Sequence, residues 1–488
     1  MDAEALDHYL RDSSRRGDAA DGALSGAAGG SVCGDEVRIS MRAEAGRVAD
    51  PTFAADGCAA LRAAASAACE LIDGEPFLDA ARVSPGAITA ALGGLSAQGE
   101  HAATLVADAL HRALGAWASS GAELAAPPEA GERVAVALSG GVDSSAAALL
   151  ERRSGADVVA ITVKLWADER NDETRSCCSP LAVLGARAVA HSLDLPHLTL
   201  DLETVFRERV VGGFIAGHEA GRTPNPCVLC NGSVRIDAML ALADRLGASA
   251  LATGHYARLA PAESGALLGA AADDAKDQTY MLSGVSPRTL GRMRFPLAEL
   301  RKPEVRALAG QAGLAVAGKP ESQDLCFLAG EGKRAFLARH GGIADRPGEL
   351  IDSRGTVVGT HRGHHHFTVG QRRGIGVAAA EPLYVLAKRA DTNRVTVGVR
   401  EELETSRVRV AGAVLHRDAV EVDRVRLRYR SAPVPCSVTA PGVGEAVTAG
   451  EHPELELALG SPALGVAPGQ TACLMSGELV VGTATIAA

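Results

Sequence analysis

The sequence predicts an α/β multi-domain protein. A small α+β unit comes first, then a doubly wound parallel sheet, a small central domain and a C-terminal β-barrel. Three observations support this. A chain of 488 residues has the length of three or four domains. From residue 133 to about 330, short buried apolar runs alternate with helical ones, the pattern of a parallel sheet covered on both faces. After residue 404, strand-like runs recur between Gly/Pro turns, as in a small barrel.

Residues 1–30 read as a weak helix and a flexible Gly/Ala-rich link. Residues 31–118 form a compact unit. EVRISM alternates like a strand, GCAALRAAASAACELIDG is a helix ending at glycine, and EHAATLVADALHRALGAW is a second amphipathic helix. SSGAELAAPPEAGE, 119–132, has linker composition. In 133–336, RVAVAL, ADVVAITVKLW, HLTLDL and ASALATGHYA read as strands. SAAALLERR and SPLAVLGARAVAHSLDL read as helices between them. Residues 337–403 are rich in Gly, His and Arg, with short strands. Residues 404–488 read as many short strands.

No charge-free apolar run of 18 residues is present, so no membrane span is expected. The start, MDAEALDHYLRDSSRRGD, is polar and acidic, unlike a signal or transit peptide. Ten cysteines in a chain this long point to a reducing cytoplasm, with thiols kept for chemistry or metals. A net charge of −10 gives no whole-molecule attraction to nucleic acid and leaves room for a local basic patch.

VALSGGVDSS, 136–145, is a strand running into a Gly-rich turn and a helix. Backbone N–H groups in such a turn converge on an anion, and the helix N-terminus adds positive potential. No Lys follows the glycines, so this is not a G-x-x-x-x-G-K-[ST] loop. It resembles the SGGxDS loop of the ATP pyrophosphatases, which implies ATP, with Mg2+, cleaved between its α- and β-phosphates. The implied ATP-binding residues are Ala137, Leu138, Ser139, Gly140, Gly141, Val142, Asp143 and Ser144. The strand-end rule adds Val163 and Gly254 near the adenosine.

TPNPCVLCN, 223–231, places two cysteines three apart. By itself it fits a zinc half-site, a redox pair, cluster ligands or a sulfur-handling station. Six further segments follow in order: ATGHYAR, DDAKDQTYML, FPL, KPESQDLCF, GTHRGHHHFTVGQRRGIG and APGQTACLMSGELVVGTATI. Together these segments resemble the tRNA-specific 2-thiouridylases over residues 133–488. The resemblance implies ATP-dependent 2-thiolation of the wobble uridine, position 34, in the tRNA anticodon. Uridine O2 is adenylated and then replaced by sulfur from a cysteine persulfide. It implies Cys326 as persulfide carrier and Cys230 as the nucleophile that resolves it through a Cys230–Cys326 disulfide. It implies tRNA contacts at Asn225, Pro226, His255, Lys276, Asp277, Gln278, Arg428, Tyr429 and Gln470. The chemistry is consistent: adenylation makes a leaving group of O2, and sulfur needs a soft thiolate carrier with a second thiol in reach.

Many members of that family have Asp where this chain has Cys227. Cys227, Cys230 and Cys326 together offer three thiols, so two further uses stay open: a [4Fe–4S] cluster with one open iron, or zinc. Cys177 and Cys178, in RSCCSP, match a family turn and read as structural. Cys436 and Cys473 read as barrel core. His364, His365 and His366 are read as alternating on a strand, a poor chelate, within an RNA-facing loop.

Within 31–118, SVCGDE, DGCAALRAAASAACELIDG and EHAATLVADAL resemble the U-type iron–sulfur scaffold fold (NifU- or IscU-like). Cys33, Asp35, Cys58 and His101 are the implied metal set. Ala102 stands where that family usually has a third cysteine, and Cys69 reads as a helix core residue. The expectation is a cytoplasmic fused enzyme acting on tRNA, supplied by a cysteine desulfurase or a sulfur relay protein. The competing readings are an iron–sulfur or sulfur carrier with a vestigial ATP domain, and another adenylating ligase.

Overall fold

The computed structural model describes residues 3–29, 34–97, 99–121, 124–168, 180–263, 265–320, 325–328, 330–442 and 446–488. Its first unit is a three-stranded antiparallel sheet, Leu24–Gly29, Glu36–Glu44 and Arg47–Asp56. Helices Ala59–Ile72 and Glu100–Ser119 pack on it. The Gly/Ala-rich stretch expected to be a flexible link is instead its edge strand. The small residues there answer a packing demand: a Cβ on Gly26 would lie 2.2 Å from the Ala109 carbonyl of the long helix.

The second unit has five parallel strands in the order Met293–Arg294, Ala250–Thr253, Arg133–Ala137, Asp157–Lys164 and His197–Asp201. The chain runs outward from Arg133–Ala137 in one direction, then returns to its other side at Ala250. That reversal is the switch point where open α/β sheets bind ligands. Alternate residues serve opposite faces. Val134 and Val136 pack under helices Val142–Arg153 and Pro180–Ser192. Ala135, Ile161 and Leu198 face a core shared with helix Ile236–Arg245 and with the N-terminal unit.

The N-terminal unit is therefore a layer of the same structure. Helix Glu100–Ser119 lies against strand His197–Asp201. The stretch expected to be a linker is pinned as well: Leu124 N–H donates to the Arg245 carbonyl at 2.9 Å, and Arg133 Nη1 donates to the Ala126 carbonyl at 2.7 Å.

The central domain is a four-stranded sheet, ordered Val357–His361, Gly348–Ile351, Arg394–Gly398 and Tyr384–Arg389. The three histidines form a short 3-10 turn, His364–His366, and not the expected strand. The barrel closes six strands by pairing Glu404–Leu415 with Leu479–Ile486. Two of its strands are longer than expected, at 12 and 15 residues. A hairpin of the sheet domain, Arg258–Ala262 with Gly265–Gly269, joins the barrel through Leu479–Ile486.

The helical run Pro226–Arg245, which sequence patterning did not reveal as a helix, is long and apolar enough by length and composition to cross a membrane. It is 56% buried within the protein over its most apolar window and carries Arg235, Asp237 and Asp244. It is a core helix, because its apolar face already has a protein partner.

Candidate active site

Strand Arg133–Ala137 delivers the Gly-rich turn to the N-terminus of helix Val142–Arg153, with Gly141 as the flanking residue. Leu138 N–H prolongs the sheet pairing to the Ile161 carbonyl at 2.8 Å. Ser144 Oγ accepts from Ser139 N–H and donates to the Gly141 carbonyl, each at 3.1 Å, which holds the turn closed. A cavity of about 370 Å3 opens over it, a size suited to a nucleotide-sized ligand. Val163 and Gly254, the two positions that the strand-end rule puts near the adenosine, line it. A side chain at Gly254 would meet Ser144 N at 2.6 Å, so this position lets two backbones touch beneath the cavity.

His255, Lys276, Gln278 and Tyr429, expected to face tRNA, line this same cavity. Among the lining residues that were not foreseen are Arg235, Tyr256, Lys302 and Lys319. Lys302 Nζ donates to both carboxylate oxygens of Asp143 at 2.7 Å, and Tyr256 OH donates to Oδ1 at 2.8 Å. Lys319 Nζ donates to the Gly140 carbonyl at 3.1 Å. Lys319 belongs to the quoted KPESQDLCF segment, so its place could have been suspected. Lys302 has no local signature, since folding alone brings it 159 positions back along the chain.

His255 is fixed on both ring nitrogens. Arg235 Nη2 donates to Nε2 at 3.1 Å, which leaves Nδ1 to donate to Thr253 Oγ1 at 2.8 Å. Burial, with the Arg235 charge added, pushes its pKa down to about 3, so the ring is neutral. Asn231 Oδ1 accepts from the same guanidinium at 2.5 Å. That chain of bonds ties the cavity to the cysteine helix, since Asn231 directly follows Cys230.

Asn225 is the N-cap of that helix. Its Oδ1 accepts from Cys227 N–H at 3.2 Å and Val228 N–H at 3.4 Å, and Pro226 takes the first helical position. Cys227 and Cys230, three apart, share one helix face. Cys230 is buried; Cys227 and Cys326 are half-buried. Cys230 and Cys326 belong to one apolar cluster with Trp166, Phe214, Phe327 and Phe336. Val163 and Leu165 both line the ATP-sized cavity and pack in that cluster, so thiols and cavity share a wall.

A mononuclear zinc needs its sulfurs roughly 3.8 Å apart, given Zn–S bonds near 2.3 Å. Among the described residues, three sets of His, Cys, Asp or Glu bring ligand atoms within 4.8 Å, and the three cysteines are not one of them. The zinc alternative at Cys227, Cys230 and Cys326 therefore has no preassembled site.

The other expected tRNA positions divide. Arg428 is exposed. Asp277 faces inward, accepting from Thr279 Oγ1 at 2.6 Å, Arg426 Nη1 at 3.1 Å and Ala271 N–H at 3.2 Å. Its carboxylate latches the sheet domain to the barrel. Gln470 Nε2 donates to the Thr223 carbonyl at 2.7 Å, docking the barrel on the turn ahead of the cysteine helix.

In the N-terminal unit, Asp35, Cys58 and His101 do converge. Asp35 Oδ2 accepts from Cys58 Sγ at 3.3 Å and bonds His101 Nε2 at 3.1 Å. Burial and the neighbouring carboxylate raise the Cys58 pKa. One carboxylate, one thiol and one imidazole, all within 4.8 Å, fit a zinc or iron ion. Cys33, the fourth expected ligand, lies outside the described residues, as do Cys177 and Cys178. Cys69 is buried on its helix and Cys473 on its strand, each pushed up to about 12 by burial. Cys436 is half-buried on its strand.

Two other clusters resemble metal sites. His365, His366 and Asp345 converge because the histidines turn on a 3-10 helix, but Asp345 already pairs with His366, Arg334 and Arg362. In Asp168, Glu331 and His340 the cation is already present: Arg339 forks onto both carboxylates.

Residues 132–330 match the tRNA methyl transferase HUP domain. Residues 334–399 match the tRNA methyl transferase PRC-barrel domain, and 400–486 the aminomethyltransferase beta-barrel domain. Residues 2–123 match the NifU-like N terminal domain. The chain is 45% identical over 473 residues to a bifunctional protein NifU/MnmA of Rubrobacter xylanophilus, covering 95% of this chain and 93% of that one. It is 40% identical over 358 residues to a tRNA-specific 2-thiouridylase MnmA of Acidithiobacillus ferrooxidans, covering 72% and 97%. Another, from Lachnoclostridium phytofermentans, is 36% identical over 364 residues, covering 73% and 99%.

Proposed function

The chain belongs to the tRNA-specific 2-thiouridylase family, in the form that carries a NifU-like N-terminal domain, and on that footing we propose how its own residues move the sulfur. It is a tRNA-uridine 2-sulfurtransferase that uses ATP. The substrate is the wobble uridine of the anticodon, and the protein works in the cytoplasm.

The route has three steps. Backbone N–H groups of the Gly-rich turn hold the ATP phosphates. Uridine O2 attacks the α-phosphorus, the bond to the bridging oxygen breaks, and pyrophosphate leaves with the electron pair. Cys326 carries the sulfane sulfur as a persulfide, taken from a cysteine desulfurase or a relay protein. The terminal sulfur attacks C2, AMP departs, and Cys230 thiolate displaces the product sulfur by forming the Cys230–Cys326 disulfide. A dithiol reductant resets the pair with two electrons.

One observation carries this reading: Val163 and Leu165 are at once a wall of the nucleotide-sized cavity and members of the cluster holding Cys230 and Cys326. That shared wall supports an adenylated base being handed from the cavity towards the thiols. Asn225 sets the start of the cysteine helix, and Arg235 orients the neutral His255 toward the cavity. Asp35, Cys58 and His101, with Cys33, would hold an iron or zinc ion in the N-terminal domain. Such an ion supplies a Lewis-acid site for thiolate or sulfide.

The test is nucleoside mass spectrometry of tRNA after reaction with the wild type and with Cys326→Ala. 2-Thiouridine should form only with the wild type. Persistence of 2-thiouridine in the variant would remove Cys326 from the route.

A further inference from the structure

The phosphate turn lacks the lysine that the G-x-x-x-x-G-K loop carries within its own motif. Departing pyrophosphate carries several negative charges, and backbone N–H groups supply only partial positive charge. The fold brings two ammonium groups to the turn from outside it. Lys302, the first residue of helix Lys302–Gln311, is bonded to Asp143. Lys319, in the segment leading to Cys326, is bonded to the Gly140 carbonyl. Both line the cavity.

Lys302 is firmly placed, whereas Lys319 is exposed and reaches the turn through its bond to the Gly140 carbonyl. Lys302 is held at its backbone by Asp273 Oδ2, which accepts its N–H at 2.9 Å, and its side chain is only 10% exposed. Asp143, in the first turn of the phosphate-loop helix, is 32% exposed and is braced from the other side by Tyr256 OH. Lys302 is therefore held at the cavity wall as one half of an ion pair with Asp143, where little water screens its interaction with a further anion.

We propose that Lys302 and Lys319 form, with the backbone of the turn, the binding site for the pyrophosphate leaving group. They supply from two later segments the charge that other phosphate loops carry within the motif. In the adenylation step the electron pair of the broken phosphorus–oxygen bond passes to pyrophosphate, and the two ammonium groups stabilise it there. The inference rests on ATP use by this chain and is independent of which base is thiolated.

The experiment separates the two halves of ATP. Binding of pyrophosphate with Mg2+, and separately of AMP, is measured by titration calorimetry for wild type, Lys302→Met, Lys319→Met and Lys302→Arg. Each methionine variant should bind pyrophosphate about tenfold more weakly, the loss of one charge-assisted contact. AMP affinity should stay within about twofold, since no charge it needs has gone. Lys302→Arg should recover part of the pyrophosphate affinity. Because Lys302→Met leaves Asp143 without that partner, Asp143→Asn/Lys302→Met is measured alongside to keep a folded comparison. Equal losses of AMP and pyrophosphate affinity, or unchanged pyrophosphate affinity in folded variants, would overturn the assignment. If both lysines behave as expected while tRNA is not thiolated, the pyrophosphate site stands and the proposed sulfur route falls.

Discussion

Arg187 Nη1 donates to Asp108 Oδ1 at 2.9 Å, with side chains only 5% and 15% exposed. This bond crosses from a helix of the catalytic sheet to the long helix of the N-terminal domain. Nearby, His111 packs against His191 and His197, with ring centroids 5.1 and 6.1 Å apart. The two domains therefore share a buried polar seam, and the N-terminal domain is built into the enzyme.

Removing one side of that pair leaves a buried charge without its partner. Asp108→Ala should cost about 3 kcal/mol of stability. Thermal melts and limited proteolysis will show it, with the N-terminal domain digested first. A melting profile and digestion pattern like the wild type's would mean the seam contributes little.

The same seam makes stability depend on pH. Burial lowers the pKa of His191 to about 4 and those of His111 and His197 well below the ordinary 6.5, with the Arg187 charge adding to each. The unfolded chain takes up protons near pH 6.5, whereas the folded seam does not. Its contribution is therefore complete above pH 6.5 and is lost as pH falls from 6.5 towards about 4. Denaturant midpoints should decline across that window. A triple His→Gln variant at 111, 191 and 197 should show a flatter decline.

Gly254→Ala places a Cβ 2.6 Å from Ser144 N and 2.7 Å from the Asp143 carbonyl carbon. Backbone cannot yield as a flexible side chain does, so the phosphate turn must move. ATP KM should rise by about tenfold or more, with pyrophosphate release kinetics as the readout. An unchanged KM would show that the turn tolerates the shift.

The three thiols should separate by role. Cys230→Ser should keep tRNA-stimulated pyrophosphate release and lose 2-thiouridine formation. Cys227→Ala should keep both, if sulfur passes as a persulfide. Loss of 2-thiouridine in Cys227→Ala, accompanied by loss of bound iron, would favour a cluster at these residues.

Asp35, Cys58 and His101 predict bound zinc or iron. Elemental analysis should find metal in the wild type and about none in Cys58→Ala/His101→Ala, since one carboxylate holds a divalent ion weakly. Equal metal content in both would place the ion elsewhere.

Much of this protein is determined locally and was therefore legible in its sequence. The strand-turn-helix around SGGVDSS depends on near neighbours: a buried β run, glycines that let the turn close, and a helix start. The order of strands and helices in the sheet domain follows from the periodicity of apolar residues, and Cys230 and Cys326, the thiols proposed to move sulfur, stand in short segments. Local reading failed where an apparent signal had a distant cause. Gly and Ala at 24–29 looked like a link, yet they are small because Ala109, more than 80 positions later, lies against them. The three histidines looked like a strand and form a tight turn. Only the tertiary structure decided which distant charges meet. Lys302 reaches Asp143, Arg187 reaches Asp108, and Asp277 turns away from solvent to Arg426. Such pairings depend on how packed elements cross, and no periodicity along the chain records a contact between residues 149 or 159 positions apart.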